Sequence, residues 1–327
     1  MHAIILAAGL GTRLAPLTDR LPKALVPVAG APAIDHVMTR LRRAGVGVVG
    51  VNAHHHAALL TRFLDRREGE PRAHCIVEET IQGPAGGIAG FVPWLRRRVR
   101  GEPVLLHNAD AVTDLDLGSL LAAHRARSEE LRAGRLAMTM ALVSHRPTDS
   151  VRVDRSGNVL GFGAAGEAGS WTYSGVAVLD WPWLDRLEPG RPAPFVPSVT
   201  AAIDAGLVVR GWRAEGAAWH DLGTPERYLA AHGAIAGGAL SEWGGGLPVA
   251  AGNASWRIAP SARVAASARL SGWGVAGREC EIGEGARLSD TVMFDGASVG
   301  AGEVLEGAIV APWARVARGG GAGAGDE

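Results

Sequence analysis

An apolar run over residues 2–7 leads straight into Gly9-Leu10-Gly11-Thr12-Arg13, with Lys23 a short way downstream. Glycines permit positive φ and let main-chain N–H groups come close to phosphate oxygens, and Arg13 and Lys23 bring positive charge to the same loop. Lys23 is the only lysine among 33 basic residues, which suggests a position wanting a compact ammonium in place of a planar fork. The chemistry indicated is phosphate binding. A tight turn without a ligand is the alternative, and the two cations weigh against it. Neither of two familiar phosphate loops is expected: there is no Gly-x-x-x-x-Gly-Lys-Ser/Thr, and Gly9-x-Gly11 lacks the third glycine of the dinucleotide spacing.

Two carboxylates could serve such a loop. Asp110 follows the apolar run 103–107, and Asp221 precedes a helix opened by Thr224, Pro225 and Glu226, which are a capping hydroxyl, a first-position proline and a first-turn acid. Magnesium takes one or two protein carboxylates and fills its octahedron with phosphate oxygens and water. Aspartates from two strand ends meet that need; the capping of a turn is the other reading of each. Asp114 and Asp116 precede Leu117, Leu120 and Leu121 and read as helix caps. His54, His55 and His56 would alternate faces on an extended segment, so a loop-to-helix junction is expected there, not a metal cluster. Arg40, Arg42 and Arg43, and the run 96–98, read as solvated helix faces, and the scattered tryptophans as packing.

Positioning these residues takes strands alternating with helices. Over residues 1–236 short β-branched runs alternate with amphipathic stretches, the grammar of an open α/β sheet whose ligands lie beyond the carboxyl ends of its strands. Ile34, Val37, Met38, Leu41 and Ala44 recur at helical spacing, and Gly45 closes that helix. A Gly-rich linker is expected at 237–247. Beyond it Ile258, Val264, Leu270, Ala276, Ile282, Leu288 and Phe294 fall at successive sixth positions, followed after a one-residue slip by Val299 and Leu305. A six-residue apolar repeat predicts a parallel β-helix over 248–317, and 318–327 reads as a disordered tail.

The chain has 327 residues, 47% apolar and 20% charged, enough to bury a core of about two domains. Its 33 basic and 33 acidic residues cancel, so no global field exists to hold nucleic acid or anionic lipid, and neither is expected as a partner. Two cysteines make no disulfide framework, and no run is long enough to span a bilayer or shaped as a signal peptide; a cytoplasmic protein is expected.

The chain resembles the sugar-1-phosphate nucleotidyltransferases, whose signature Leu-Ala-Ala-Gly-x-Gly-Thr-Arg-Leu-x-Pro-Leu-Thr, then Pro-Lys-x-Leu-x-Pro-Val, stands at 6–18 and 22–28. Val51-Asn52-Ala53-His54-His55, Gly83 to Ile88, Asn108-Ala109-Asp110, Tyr173 to Val176 and Asp221 to Glu226 resemble successive blocks of that family. The likeness is nearest to mannose-1-phosphate guanylyltransferase-like and N-acetylmuramate-1-phosphate uridylyltransferase-like members. The resemblance implies a Rossmann-like α/β/α domain with a mixed, mostly parallel sheet, plus a short left-handed β-helix of hexapeptide repeats through which a homo-oligomer could form. It implies Mg²⁺-dependent transfer of a nucleoside monophosphate from an NTP to a sugar 1-phosphate, releasing pyrophosphate. Mannose-1-phosphate guanylyltransferase is the leading expectation; a uridylyl- or thymidylyltransferase, or a non-catalytic nucleotide-sugar-binding subunit, are alternatives.

Under that resemblance Arg13 and Lys23 are catalytic cations, and Asp110 and Asp221 hold the metal. Leu6, Ala8, Gly9, Gly11, Thr12, Arg13, Gln82 and Gly86 line the nucleotide, and Asn108, Ser174 and Gly175 the sugar. Ala109 stands where the family's Asn-Gly-Asp has glycine, and no second lysine is present to hold the sugar phosphate.

Overall fold

The computed structural model describes residues 1–99 and 101–317 and the backbone strand Gly323–Ala324, which pairs with Ala314 and Arg315. The rest of the expected tail over 318–327 lies outside the described residues. Contacts divide the chain into two compact units. One comprises Met1–Leu10, Val37–Ala111 and Leu115–Trp219; the other comprises Gly11–His36, Val112–Asp114 and His220–Glu327.

The first unit is built on a seven-stranded sheet. Its strands in chain order are β1 (His2–Leu6), β2 (Val48–Ala53), β3 (Arg72–Val77), β4 (Val104–Asn108), β5 (Leu136–Val143), β6 (Thr172–Leu179) and β7 (Val208–Arg213). They lie in the order β7-β5-β6-β4-β1-β2-β3. Only β6 runs antiparallel to its neighbours, so the sheet is mixed and mostly parallel, as expected. Central strands are continuous apolar runs because both faces are covered; every residue of β5 is buried. No residue of the edge strand β3 is fully buried, and it alternates Arg72 and His74 with smaller apolar residues.

The longer helices are α1 (Ala33–Arg43), α2 (Ala57–Arg66), α3 (Gly83–Arg96), α4 (Leu117–Arg125), α5 (Phe195–Asp204) and α6 (Pro225–Ala236). The first unit's core gathers Ile88, Phe91 and Leu95 of α3 and Val199 of α5 around Ile4, Leu106, Met140 and Ala177 of the sheet. In α1 the spaced apolar residues are buried, and Gly45 follows at φ 82°. Arg42 and Arg43 are exposed as read, but Arg40 is not on a solvated face: it is 7% exposed and donates through Nη2 to Leu115 O at 2.6 Å. A long guanidinium can cross the edge of a core if a carbonyl receives it. Asp116 caps α4, accepting from Gly118 N and Ser119 Oγ.

In the second unit two parallel stacks of strands form. One joins Asn253–Ile258, Arg269–Ala276, Arg287–Met293 and Ala308–Ala311; the other joins Arg263–Val264, Glu281–Ile282 and Ser298–Val299. Ile258 pairs with Ala276, Val264 with Ile282 and Leu270 with Leu288, a stagger of three six-residue steps. The next rung pairs Ala276 with Met293, Ile282 with Val299 and Leu288 with Leu305. Met293, not Phe294, therefore holds the repeat position. The slip falls at Asp290, which takes φ 51° between Ser289 and Thr291, where the neighbouring strand has two residues, Gly272 and Trp273. Phe294 turns instead toward Tyr228 of α6 and Trp313.

Candidate active site

At the carboxyl ends of the first unit's strands, Leu6 is in register with Asn52 on one side and Asn108 on the other. Ligand sites of open α/β sheets gather along such a row. Beyond Leu6, Ala7 and Ala8 are buried and Gly9 is exposed; a methyl added at Gly9 would meet nothing within 4 Å. That is the open backbone a flat ligand could approach.

The glycines of the other expected nucleotide segment have a different cause. A methyl at Gly83 would lie 2.8 Å from Ala193 O, one at Gly86 2.8 Å from Arg191 O, and one at Gly87 2.6 Å from Asn52 Nδ2. Protein atoms already fill these spaces, so they serve close packing of α3. Gln82 sits at the head of α3, its Nε2 donating to Thr80 O and Thr80 Oγ1. Its Oε1 has no partner among the described residues.

Asn108 closes β4, and Gly175 at φ 81° lies so close that a Cβ there would be 2.7 Å from Asn108 Nδ2. Ser174 is 1% exposed; its hydroxyl donates to Ala141 O and accepts from Val176 N. That hydroxyl is thereby tied into the sheet. Ala109 is buried and donates its N–H to Leu6 O, so the methyl in place of glycine packs inward. Asp110 follows at a half-buried position, beside His107. Burial pushes the His107 imidazole down to about 4, with the Arg40 charge acting in the same direction. Its Nδ1 faces Asn108 O, and its buried Nε2 has no partner among the described residues.

The second unit holds the charged part of the loop. Gly11 takes φ 69°, where a Cβ would lie 2.9 Å from Thr18 Cγ2 and 3.4 Å from Lys23 Cβ. Thr18 Oγ1 donates to Gly11 O at 2.9 Å, and single helical turns at Thr12–Leu14 and Lys23–Leu25 carry the two cations. Arg13 is exposed and Lys23 half-buried. Asp221 ends the strand Trp219–Asp221; its Oδ1 accepts from Gly223 N at 2.7 Å and its Oδ2 from Arg227 Nη1 at 2.5 Å. Arg13 Nη2 lies 3.5 Å from where a Cβ on Gly223 would stand. Arg13 and the Asp221 turn are thus brought together, and Thr224 caps α6 as expected, accepting from Arg227 N.

Asn52, Glu78 and Arg227 went unrecognised as site residues in the sequence. Asn52 and Glu78 look like ordinary strand-end polar residues, and Arg227 like any exposed cation in a first helical turn. No group of three or more His, Cys, Asp or Glu able to cage a metal occurs among the described residues. Magnesium asks for only one or two protein carboxylates. Each Asp221 oxygen keeps acceptor capacity beyond its one N–H partner.

Residues 2–237 match the nucleotidyl transferase family, and the chain belongs to it. It is 29% identical over 315 residues to the mannose-1-phosphate guanylyltransferase of Mycobacterium tuberculosis, covering 94% of this chain and 83% of the relative. It is 35% identical over 242 residues to the N-acetylmuramate alpha-1-phosphate uridylyltransferase of Caulobacter vibrioides, covering 72% and 96%. Among solved structures it superposes on HddC from Yersinia pseudotuberculosis, complexed with GMP-PN, with a TM-score of 0.55 at 20% identity, covering 70% and 97%. That last likeness speaks to the fold alone.

Proposed function

We propose that the chain catalyses Mg²⁺-dependent transfer of a nucleoside monophosphate from an NTP to a sugar 1-phosphate, in the manner of a mannose-1-phosphate guanylyltransferase. The observation that carries the reading is the approach of Arg13, from the glycine loop, to the turn of Asp221, the second candidate metal ligand. Support for the guanylyl reading comes from the longer match, since the mycobacterial relative aligns through the β-helix region as well. In the proposed reaction a phosphate oxygen of the sugar 1-phosphate attacks the α-phosphorus. The α–β anhydride bond breaks, and pyrophosphate leaves with the electron pair. Because the nucleophile is already an anion, the protein's work is to bring two anions together and offset charge moving onto the leaving group.

Arg13 grips the β and γ phosphates through its fork, and Lys23 sits near the α-phosphate as a point charge. Asp110 and Asp221 would hold the magnesium ion, whose charge stabilises the phosphate oxygens when it is bound. Leu6, Ala8, Gly9, Gly11 and Thr12, with Gln82 and Gly86, frame the nucleotide; Asn108, Ser174 and Gly175 frame the sugar. The reading includes a cytoplasmic location and self-association through the β-helix; among the described residues no helix is long and apolar enough to cross a membrane.

The test is pyrophosphate release over a matrix of GTP, UTP and dTTP against mannose 1-phosphate, N-acetylmuramate 1-phosphate and glucose 1-phosphate. Turnover is expected to peak with GTP and mannose 1-phosphate. Asp110→Asn and Asp221→Asn are expected to abolish it, and Arg13→Met or Lys23→Met to lower kcat by about 10²–10³. A folded wild type that binds nucleotide sugar but turns over no pair would make it a regulatory subunit instead.

A further inference from the structure

Three hydrogen bonds in the first unit form one continuous chain. Ala7 N donates to Asn52 Oδ1 at 2.7 Å, Asn52 Nδ2 donates to Glu78 Oε1 at 2.7 Å, and Gln82 N donates to Glu78 Oε2 at 2.9 Å. Asn52 is 3% and Glu78 8% exposed, and Gly87 leaves them room, since a methyl there would lie 2.9 Å from Glu78 Oε1. Glu78 is anchored further by its own backbone: its N–H donates to Ala53 O, and its carbonyl faces His54 Nδ1. The chain's two ends are the start of the glycine loop and the head of α3, the two segments to which the nucleotide is assigned above.

Both ends are main-chain N–H groups, which can only donate. Ala7 N therefore fixes the orientation of the Asn52 amide, and Gln82 N makes one Glu78 oxygen an acceptor. A link between two donors must present an acceptor at each end. Two amides in series cannot do this, because each has one accepting and one donating end, and somewhere two N–H groups would meet. Two carboxylates cannot either, because two acceptors would meet in the middle. One amide and one carboxylate satisfy all three bonds, and they do so in either order.

We infer that Asn52 and Glu78 are positioning residues for the nucleoside triphosphate, holding Ala7–Gly9 and Gln82 at a fixed separation without touching the substrate. The inference rests on the proposed function. Burial raises the stakes, since a donor or acceptor left unmatched away from water is costly and the strain falls on the two segments the link joins.

The complementarity supplies its own test. Asn52→Asp places two carboxylates face to face, and Glu78→Gln places two donors face to face. The double variant Asn52→Asp/Glu78→Gln reverses the order and restores every bond with no change in side-chain size. KM for GTP, KM for mannose 1-phosphate, kcat and Tm would be measured for the wild type, both single variants and the double variant, with the best pair from the matrix substituted if it differs. GTP affinity would also be titrated directly in the absence of sugar phosphate.

Each single variant is expected to raise KM and the dissociation constant for GTP about tenfold, with kcat and the sugar-phosphate KM within about twofold of wild type. The double variant is expected to return within about threefold. A double variant no better than the worse single variant would overturn the inference. So would single variants that lower Tm but leave GTP binding unchanged, or that weaken both substrates alike. Failure of the proposed function is visible separately, as a wild type that neither binds GTP, UTP or dTTP nor turns over any pair; in that case the positioning role falls with it.

Discussion

Arg227 donates to Asp221 Oδ2, so the carboxylate assigned to a divalent ion already faces a guanidinium. An arriving cation must share that oxygen or displace the arginine. The pair is only partly buried, which puts its worth at about 0.2–1 kcal/mol. Arg227→Met is therefore expected to tighten Mn²⁺ binding by a factor of up to about five, read from the EPR signal of the free ion, whereas Asp221→Asn weakens it. Unchanged affinity in Arg227→Met would show that the two charges do not compete. At this scale the sequence pointed to the two cations and both aspartates as candidates, because glycine, arginine and lysine in one loop have few other uses and the aspartates follow strand-like runs. It did not disclose Ser174's commitment to the sheet or the partners of Asn52, because a side chain's neighbours across strands depend on register, which is set by the assembled sheet.

Among the elements, the helices and central strands were readable from periodicity, since their apolar spacing reflects which faces are covered. The carboxyl-terminal strand stack, consistent with a β-helix, was readable too, but its slip falls one six-residue step earlier than the apolar count placed it. Phe294 fits the apolar count, yet Asp290 absorbs the omission within the strand and Phe294 is used against Tyr228. The short helix α5 went unseen because its start, Phe195-Val196-Pro197, carries a proline and lacks a capping side chain. One rung of the β-helix offers a sharp test of its packing. Trp256 is fully buried, its Nε1 donates to Ser271 O at 2.9 Å, and a Cβ on Gly274 would lie 2.4–2.6 Å from its ring. The hydrogen bond keeps the indole from yielding. Gly274→Ala is expected to cost about 1–3 kcal/mol in chemical denaturation; a variant as stable as wild type would mean that the ring can move.

For the molecule as a whole, two wholly buried histidines couple folding to pH. Burial pushes both His107 and His232 down to about 4 from an ordinary value of 6.5. In the unfolded chain each takes a proton below pH 6.5; in the folded chain each does so only near pH 4. Between those values the unfolded state binds more protons, so stability is complete above pH 6.5 and is lost as pH falls toward 4. Denaturation followed through that window should show the midpoint falling steadily. His107→Leu should flatten the slope by about one proton, and parallel curves for variant and wild type would refute the linkage.

His232 has a second consequence. Its Nε2 accepts from Ala29 N at 3.1 Å, the neighbouring Tyr228 hydroxyl donates to Pro27 O, and its ring stacks on Trp273. The hairpin that follows Lys23 is thus fastened by residues about two hundred positions later in the chain. During synthesis, the hairpin can pair its own strands at once, but these two fastenings cannot form until α6 has left the ribosome. Nascent chains ending before residue 228 would carry the whole amino-terminal signature without either of these fastenings, so the signature's appearance and its final anchoring are separated by the synthesis of about two hundred residues.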